Sequence, residues 1–157
     1  MVHAGIYDPP GSWKSRLCVR GRALLEARCA REGIPYRKTG KLLVATDDGE
    51  AARLERLHAQ GIENGAGALA LLDAAEVIAL EPHVRGRAGL FSPESGIVDV
   101  HELMASYLAE ARAGGAEIVF RAEVIGLARE PRGWEAQVRS DGGEAIAIRA
   151  RGVVNAA

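Results

Sequence analysis

The chain has almost no net charge, only two cysteines and no long apolar run, and each shortage removes a class of function. Its 157 residues carry 20 basic and 21 acidic side chains, for a net charge of −1. Both signs are mixed along the sequence, so no broad field exists to attract nucleic acid or anionic lipid. Cys18 and Cys29 lie eleven residues apart. On one helix that spacing is about 16 Å at ~1.5 Å per residue, well beyond the ~7 Å between α-carbons that a disulfide tolerates. Two reduced, buried thiols are expected, without the partners of a zinc site. No apolar stretch approaches the ~20 residues of a membrane helix, and no signal peptide opens the chain. A cytoplasmic location follows as an expectation. Internal repeats and low-complexity linkers are also lacking. What remains, 48% hydrophobic and 26% charged, is an ordinary globular composition with enough length for a real core.

Both ends fall inside patterns that read as structural elements. Met1 to Tyr7 opens without a polar tail, and residues 152–157 stop on an apolar run with no turn or cap. The chain is therefore expected to be the interior of a larger protein.

After the turn-rich Asp8-Pro9-Pro10-Gly11-Ser12, residues 13–32 place Leu17, Cys18, Leu24, Leu25 and Cys29 at helical spacing, and Gly33 ends the helix. Residues 36–46 read as a buried strand with Lys41 at its entrance. An Asp is followed three residues later by a Glu at Asp47/Glu50, Asp73/Glu76 and Asp99/Glu102, the arrangement of a capping box. These pairs predict helices running to about Gln60, a short one halted by Glu81-Pro82, and one over 100–112 with Met104, Leu108 and Ala111 inward. From Ala116 the period becomes that of strands, at 117–120, 123–128, 134–139 and 144–149. Pro131-Arg132-Gly133 and Asp141-Gly142-Gly143 supply the turns, and 152–157 reads as a strand buried on both faces. The fold class is α/β, a mixed sheet with helices plus a three-stranded antiparallel meander.

Three motifs invite chemistry. Gly65-Ala66-Gly67-Ala68-Leu69-Ala70 matches a dinucleotide-binding pattern, yet a helix and the polar Glu63-Asn64 precede it and the apolar run of Leu69, Leu71 and Leu72 follows, where a phosphate loop needs a strand before it and a helix opening on it. Asp99, His101 and Glu102 could suggest a metal, but capping accounts for the two acids. His58 and His83 have no partners and read as surface residues. His3 stands apart, set between Val2 and the small Ala4-Gly5, where little bulk obstructs a ligand.

Val2-His3-Ala4-Gly5-Ile6-Tyr7, Pro9-Pro10-Gly11-Ser12 and Lys14-x-Arg16-Leu17-Cys18-Val19-x-Gly21 resemble a stretch of the L-2-hydroxyglutarate oxidases and dehydrogenases. These are FAD-dependent enzymes of the D-amino-acid oxidase superfamily. Gly33-Ile34-Pro35, Gly40-Lys41-Leu42-x-Val44-Ala45-Thr46, Leu80-Glu81-Pro82, Ser92-Pro93-x-x-Gly96-Ile97-Val98-Asp99 and Val153-Val154-Asn155-Ala156-Ala157 continue the resemblance in order. It implies a fragment in which 1–34 is a flavin-proximal segment and helix, 35–98 part of the substrate-binding domain, and 99–157 part of the FAD-binding domain. The family's N-terminal G-x-G-x-x-G unit and C-terminal part would lie outside it, and the chain alone would not catalyse.

By that resemblance His3, Ala4, Gly5 and Ile6 lie at the flavin ring, with His3 as catalytic base. Val124 faces the adenine, and Asn155, Ala156 and Ala157 pass under the FAD phosphates. Tyr7, Lys14, Arg16 and Lys41 are the substrate candidates, since two carboxylates need charge-assisted donors. The implied substrate is a small 2-hydroxy acid, oxidised by hydride transfer to FAD, with no nucleic acid or metal involved. Two alternatives stand beside this one: an amino-acid oxidase of the same superfamily, and a non-catalytic binding module that needs a partner chain.

Overall fold

The computed structural model describes residues 1–156 and divides into two compact units, Met1–Ala109 and Glu110–Ala157. Ala157, assigned above to the phosphates, lies outside the described residues.

The first unit begins with α1 (Trp13–Glu32), whose Ser12 cap accepts the Ser15 amide, and which stops at Gly33 in the left-handed conformation. α2 (Asp48–Asn64) starts where Asp47 accepts the Glu50 amide. It runs past the expected end at Gln60 because Gly61 is helical and Gly65, at φ +75°, supplies the left-handed stop. α3 (Ala74–Leu80) opens on a complete capping box, with Asp73 and Glu76 each accepting the other's amide at 2.9 Å. α4 (Val100–Ala113) starts with Asp99 accepting the amides of His101 and Glu102. Its expected inner face is only partly formed: Met104 is 63% exposed, Leu108 and Ala111 are half-buried, and no residue of α4 is fully buried.

Residues 36–46, read as one strand, are two. β1 (Tyr36–Arg37) pairs with β5 (Ile97–Val98), while β2 (Lys41–Ala45) enters a sheet of order β2-β4-β3 with β4 (Ala88–Ser92) and β3 (Ala70–Asp73). The break is Gly40, at φ +73°, where a Cβ would meet the Phe91 ring at 2.6 Å. All these pairings are antiparallel, with Leu43 and Leu71 both in register with Leu90. Leu90 belongs to a buried cluster with Ala4, Ile6, Ala45, Leu54 and Ala66. Full burial of a large aliphatic side chain such as Ile6 or Leu90 contributes about 1.5–3 kcal/mol. The core thus encloses the N-terminal segment itself.

In the second unit β6 (Ala122–Glu130), β7 (Gly133–Ser140) and β8 (Ala145–Ala150) form the expected meander. Its second turn places Asp141 and Gly142 at φ +43° and +73°, while the Gly143 amide donates to Ser140, so Asp-Gly rather than Gly-Gly carries the positive angles. Two expected strands are not formed. Residues 117–120 and 152–156 take no regular structure, and Phe120 and Val154 are 72% and 90% exposed. Apolar composition signals a capacity for burial, and among the described residues neither run has a strand partner. No helix among the described residues is long and apolar enough to cross a membrane.

Candidate functional site

The segment from Val2 to Asp8 is held on three sides. Val2 makes a two-stranded bridge with Gly96, donating at 2.7 Å and accepting at 3.1 Å. Val2, Ala4 and Ile6 are buried, whereas His3 and Tyr7 point outward and are exposed. Gly5, at φ +98°, brings the main chain so close to α1 that a Cβ there would stand 2.8 Å from Val19 Cγ2. α2 secures the other side: Gln60 Nε2 donates to the Ile6 carbonyl at 2.8 Å, and Asn64 Nδ2 to those of Gly5 and Asp8, both at 2.9 Å.

His3, Gly5, Ile6, Tyr7, Asp8 and Cys18 line an open cavity of about 210 Å³. The Cys18 thiol donates to the His3 carbonyl, with sulfur and oxygen 3.4 Å apart. Burial raises the Cys18 pKa and the Asp8 charge raises it further, against an opposing effect of Arg22, so the thiol keeps its proton. Cys18 and Cys29 are both free thiols, Cys29 buried and Cys18 half-buried rather than fully enclosed.

The cationic candidates, indistinguishable in sequence, separate in space. Lys41 Nζ stands 4.4 Å from the centre of the Tyr7 ring. Lys14 lies 3.8 Å from Asp8, but its side chain is 84% exposed. Arg16 sits over the Trp13 ring at 4.9 Å, and none of the three cations lines the cavity itself. Tyr7 also borders a second cavity of about 340 Å³, floored by Leu43, Leu54 and Leu57 and rimmed by Glu50 and Arg53. Arg53 was not foreseen, because it reads as one of many exposed helix charges. A larger hollow of about 470 Å³ along β1 and β5 contains none of the candidate residues.

In the second unit Val124 lies on β6 opposite Val138, 61% exposed and beside a bulge between Val124 and Gly126. Asn155 and Ala156 are exposed and outside any regular element. The Gly65–Ala70 pattern follows a helix, as expected, and no helix opens on it; it runs instead into β3, a strand not expected from the sequence. Among the described residues no three His, Cys, Asp or Glu side chains converge as metal ligands.

The model of the family described as FAD dependent oxidoreductase matches residues 1–157. The chain is similar to a mitochondrial L-2-hydroxyglutarate dehydrogenase of Arabidopsis thaliana, 46% identical over 106 residues, covering 68% of this chain and 22% of the relative. A dehydrogenase of the same name from Escherichia coli is 38% identical over 146 residues, covering 90% and 33%. The chain therefore spans no more than a third of the length of these relatives. Among solved structures, an L-alpha-glycerophosphate oxidase from Mycoplasma pneumoniae with FAD bound superposes with a TM-score of 0.74 at 25% identity, over 90% of this chain and 38% of that one.

Proposed function

Because the chain belongs to the FAD dependent oxidoreductase family, we propose that it forms the substrate side of a flavin site in an enzyme oxidising a 2-hydroxy acid of the 2-hydroxyglutarate kind. The observation that carries the reading is the cavity shared by His3 and Tyr7 on a segment whose alternate side chains are buried. The similarity to L-2-hydroxyglutarate dehydrogenases supports the choice of substrate class.

The residues present fit one edge of a flavin. Gly5 has no side chain, Ala4 and Ile6 turn inward, and only His3 and Tyr7 project from the segment as exposed side chains, both lining the cavity. When bound, FAD supplies the acceptor for the hydride that leaves the hydroxyl-bearing carbon. His3 takes the hydroxyl proton through its imidazole, and the product is the 2-oxo acid. Tyr7 and Lys41, already in contact, orient a carboxylate of the substrate through an O–H donor and a charge. Lys14 and Arg16 are secondary candidates, the first tied to Asp8 and the second to Trp13. In the same reading Val124 offers main-chain groups to the adenine, and Asn155 and Ala156 run along the phosphates.

The test is His3→Ala in the natural polypeptide that carries these residues, loaded with FAD. Loss of a general base slows flavin reduction by the hydroxy acid about 10²–10⁴-fold while FAD stays bound. Near-normal flavin reduction would remove His3 from the role.

A further inference from the structure

The segment bearing His3 and Tyr7 is short, largely irregular and in contact with solvent on one face. A main chain of this kind keeps its shape only if its polar groups are tied elsewhere. Three of its carbonyls, those of Gly5, Ile6 and Asp8, accept hydrogen bonds from just two side chains, Gln60 and Asn64. Both project from the last turn of α2, and Gly61 lies between them. A Cβ on Gly61 would meet Leu69 Cδ1 at 2.4 Å, so the glycine makes room for Leu69, while Ile6 Cγ2 would lie at an ordinary contact distance of 3.6 Å. The end of α2 is itself fixed to α1, because Arg22 Nη1 donates to the Ala66 carbonyl at 2.9 Å just past the helix stop.

Asn64 accepts a cost for this arrangement. Both carbonyls it reaches are met by its Nδ2, while its Oδ1 is buried without a hydrogen-bond partner. A buried acceptor left unmet is destabilising. An aspartate of the same shape would face two carbonyl oxygens with a charge and no donor, and an aliphatic residue would release both. The position selects a side chain with two N–H donors.

We propose that Gln60 and Asn64 are positioning residues, a pair of carboxamides that hold the main chain beneath His3 and Tyr7 in its reactive shape without touching substrate or flavin. The inference rests on the assignment of His3 and Tyr7 to the substrate side, and concerns what fixes them there. It assigns to the end of α2 a role that neither residue's sequence context signals, since each acts through main-chain carbonyls more than fifty positions away.

Asn64→Asp and Gln60→Met in the natural polypeptide test the pair, with Asn64→Gln as a variant that keeps the donors on a longer stem. Cys18 reports on the segment independently of activity, because its thiol lines the same cavity and donates to the His3 carbonyl. Labelling of Cys18 by a thiol reagent, located by peptide mass spectrometry, is expected to quicken at least about tenfold in Asn64→Asp as the segment loosens. Flavin reduction by the hydroxy acid is expected to slow about a hundredfold, chiefly in kcat, with FAD retained. Gln60→Met, which removes one donor and keeps an apolar stem of similar length, should show the same signs at smaller size, and is read alone if Asn64→Asp does not fold. Unchanged Cys18 labelling and an unchanged kcat in a folded variant overturn the proposal, as does a loss confined to KM. A wild-type polypeptide that the hydroxy acid cannot reduce defeats the substrate reading instead, while the labelling result still decides whether the carboxamides hold the segment.

Discussion

Replacing Gly5 by alanine puts the closest approach in the site under direct test. Two separate costs arise. At φ +98° an L-residue is strained, by about 1–2 kcal/mol. The new Cβ would also stand 2.8 Å from Val19 Cγ2, where α1 backs the segment, and forcing that contact apart costs about 1–3 kcal/mol. Together the expected destabilisation is about 3 kcal/mol, a fall in melting temperature of roughly 6–12 °C for a chain of this length. Gly11 is the internal control: its φ is +74°, but nothing lies within 4 Å of its would-be Cβ. Gly11→Ala should therefore cost only about 1 kcal/mol. Adding Val19→Ala to Gly5→Ala removes the contact and leaves the strain, so the double variant should recover at least about 1 kcal/mol relative to additivity. Urea and thermal unfolding by circular dichroism compare the wild type, the single variants Gly5→Ala, Gly11→Ala and Val19→Ala, and the double variant. If Gly5→Ala costs no more than Gly11→Ala, or if Val19→Ala brings no recovery, the close packing of α1 against the His3 segment is wrong.

Three further outcomes are expected. Lys38 hydrogen-bonds Glu94 at 2.7 Å and holds its carboxyl below the usual glutamate range. A depressed folded value means this stabilisation is complete above the unfolded pKa of about 4.3 and is lost as pH falls through the lower folded value. Glu94→Gln should accordingly flatten the acid limb of the stability profile, and an unaltered limb would contradict the pairing. Asp73→Ala removes half of the capping box on the seven-residue α3, with an expected cost of about 1 kcal/mol in urea unfolding. Arg28 is buried on α1, donating to Ser106 Oγ at 2.9 Å and stacking on Tyr107 at 3.9 Å. Arg28→Lys loses the planar fork and should cost about 1–2 kcal/mol, whereas a neutral effect would show that the stack contributes nothing.

Helix starts were legible because capping chemistry is local: all three Asp residues accept first-turn amides and open helices, although the Glu reaches back to the cap amide only at Asp73/Glu76, Glu50 accepting from Thr46 instead. Ends were less so. Gly61 resembles a stop, yet the left-handed cap is Gly65, and Leu69 fills the space that a side chain at Gly61 would need, a contact invisible in its neighbours. The division of 36–46 between two sheets has the same origin, since Gly40 turns the chain to make way for Phe91 from β4. Apolar runs at 117–120 and 152–156 suggested strands because composition records what a segment could bury, whereas pairing depends on a partner. At the site, the sequence singled out His3 by its small neighbours and Tyr7 only by resemblance; that both face outward while Val2, Ala4 and Ile6 are buried came from the structure. Gln60, Asn64 and Cys18 left no trace in the sequence, because each meets main-chain carbonyls, which every residue possesses.

The central claim is that these residues form the substrate side of a flavin site specific for a 2-hydroxy acid. It is tested most directly by mixing the FAD-loaded natural polypeptide, without oxygen, with L-2-hydroxyglutarate and in parallel with glycine and L-proline, and following the flavin absorbance. The account predicts rapid bleaching by the hydroxy acid and none by the amino acids. Bleaching by an amino acid alone, or by none of the three, would contradict it.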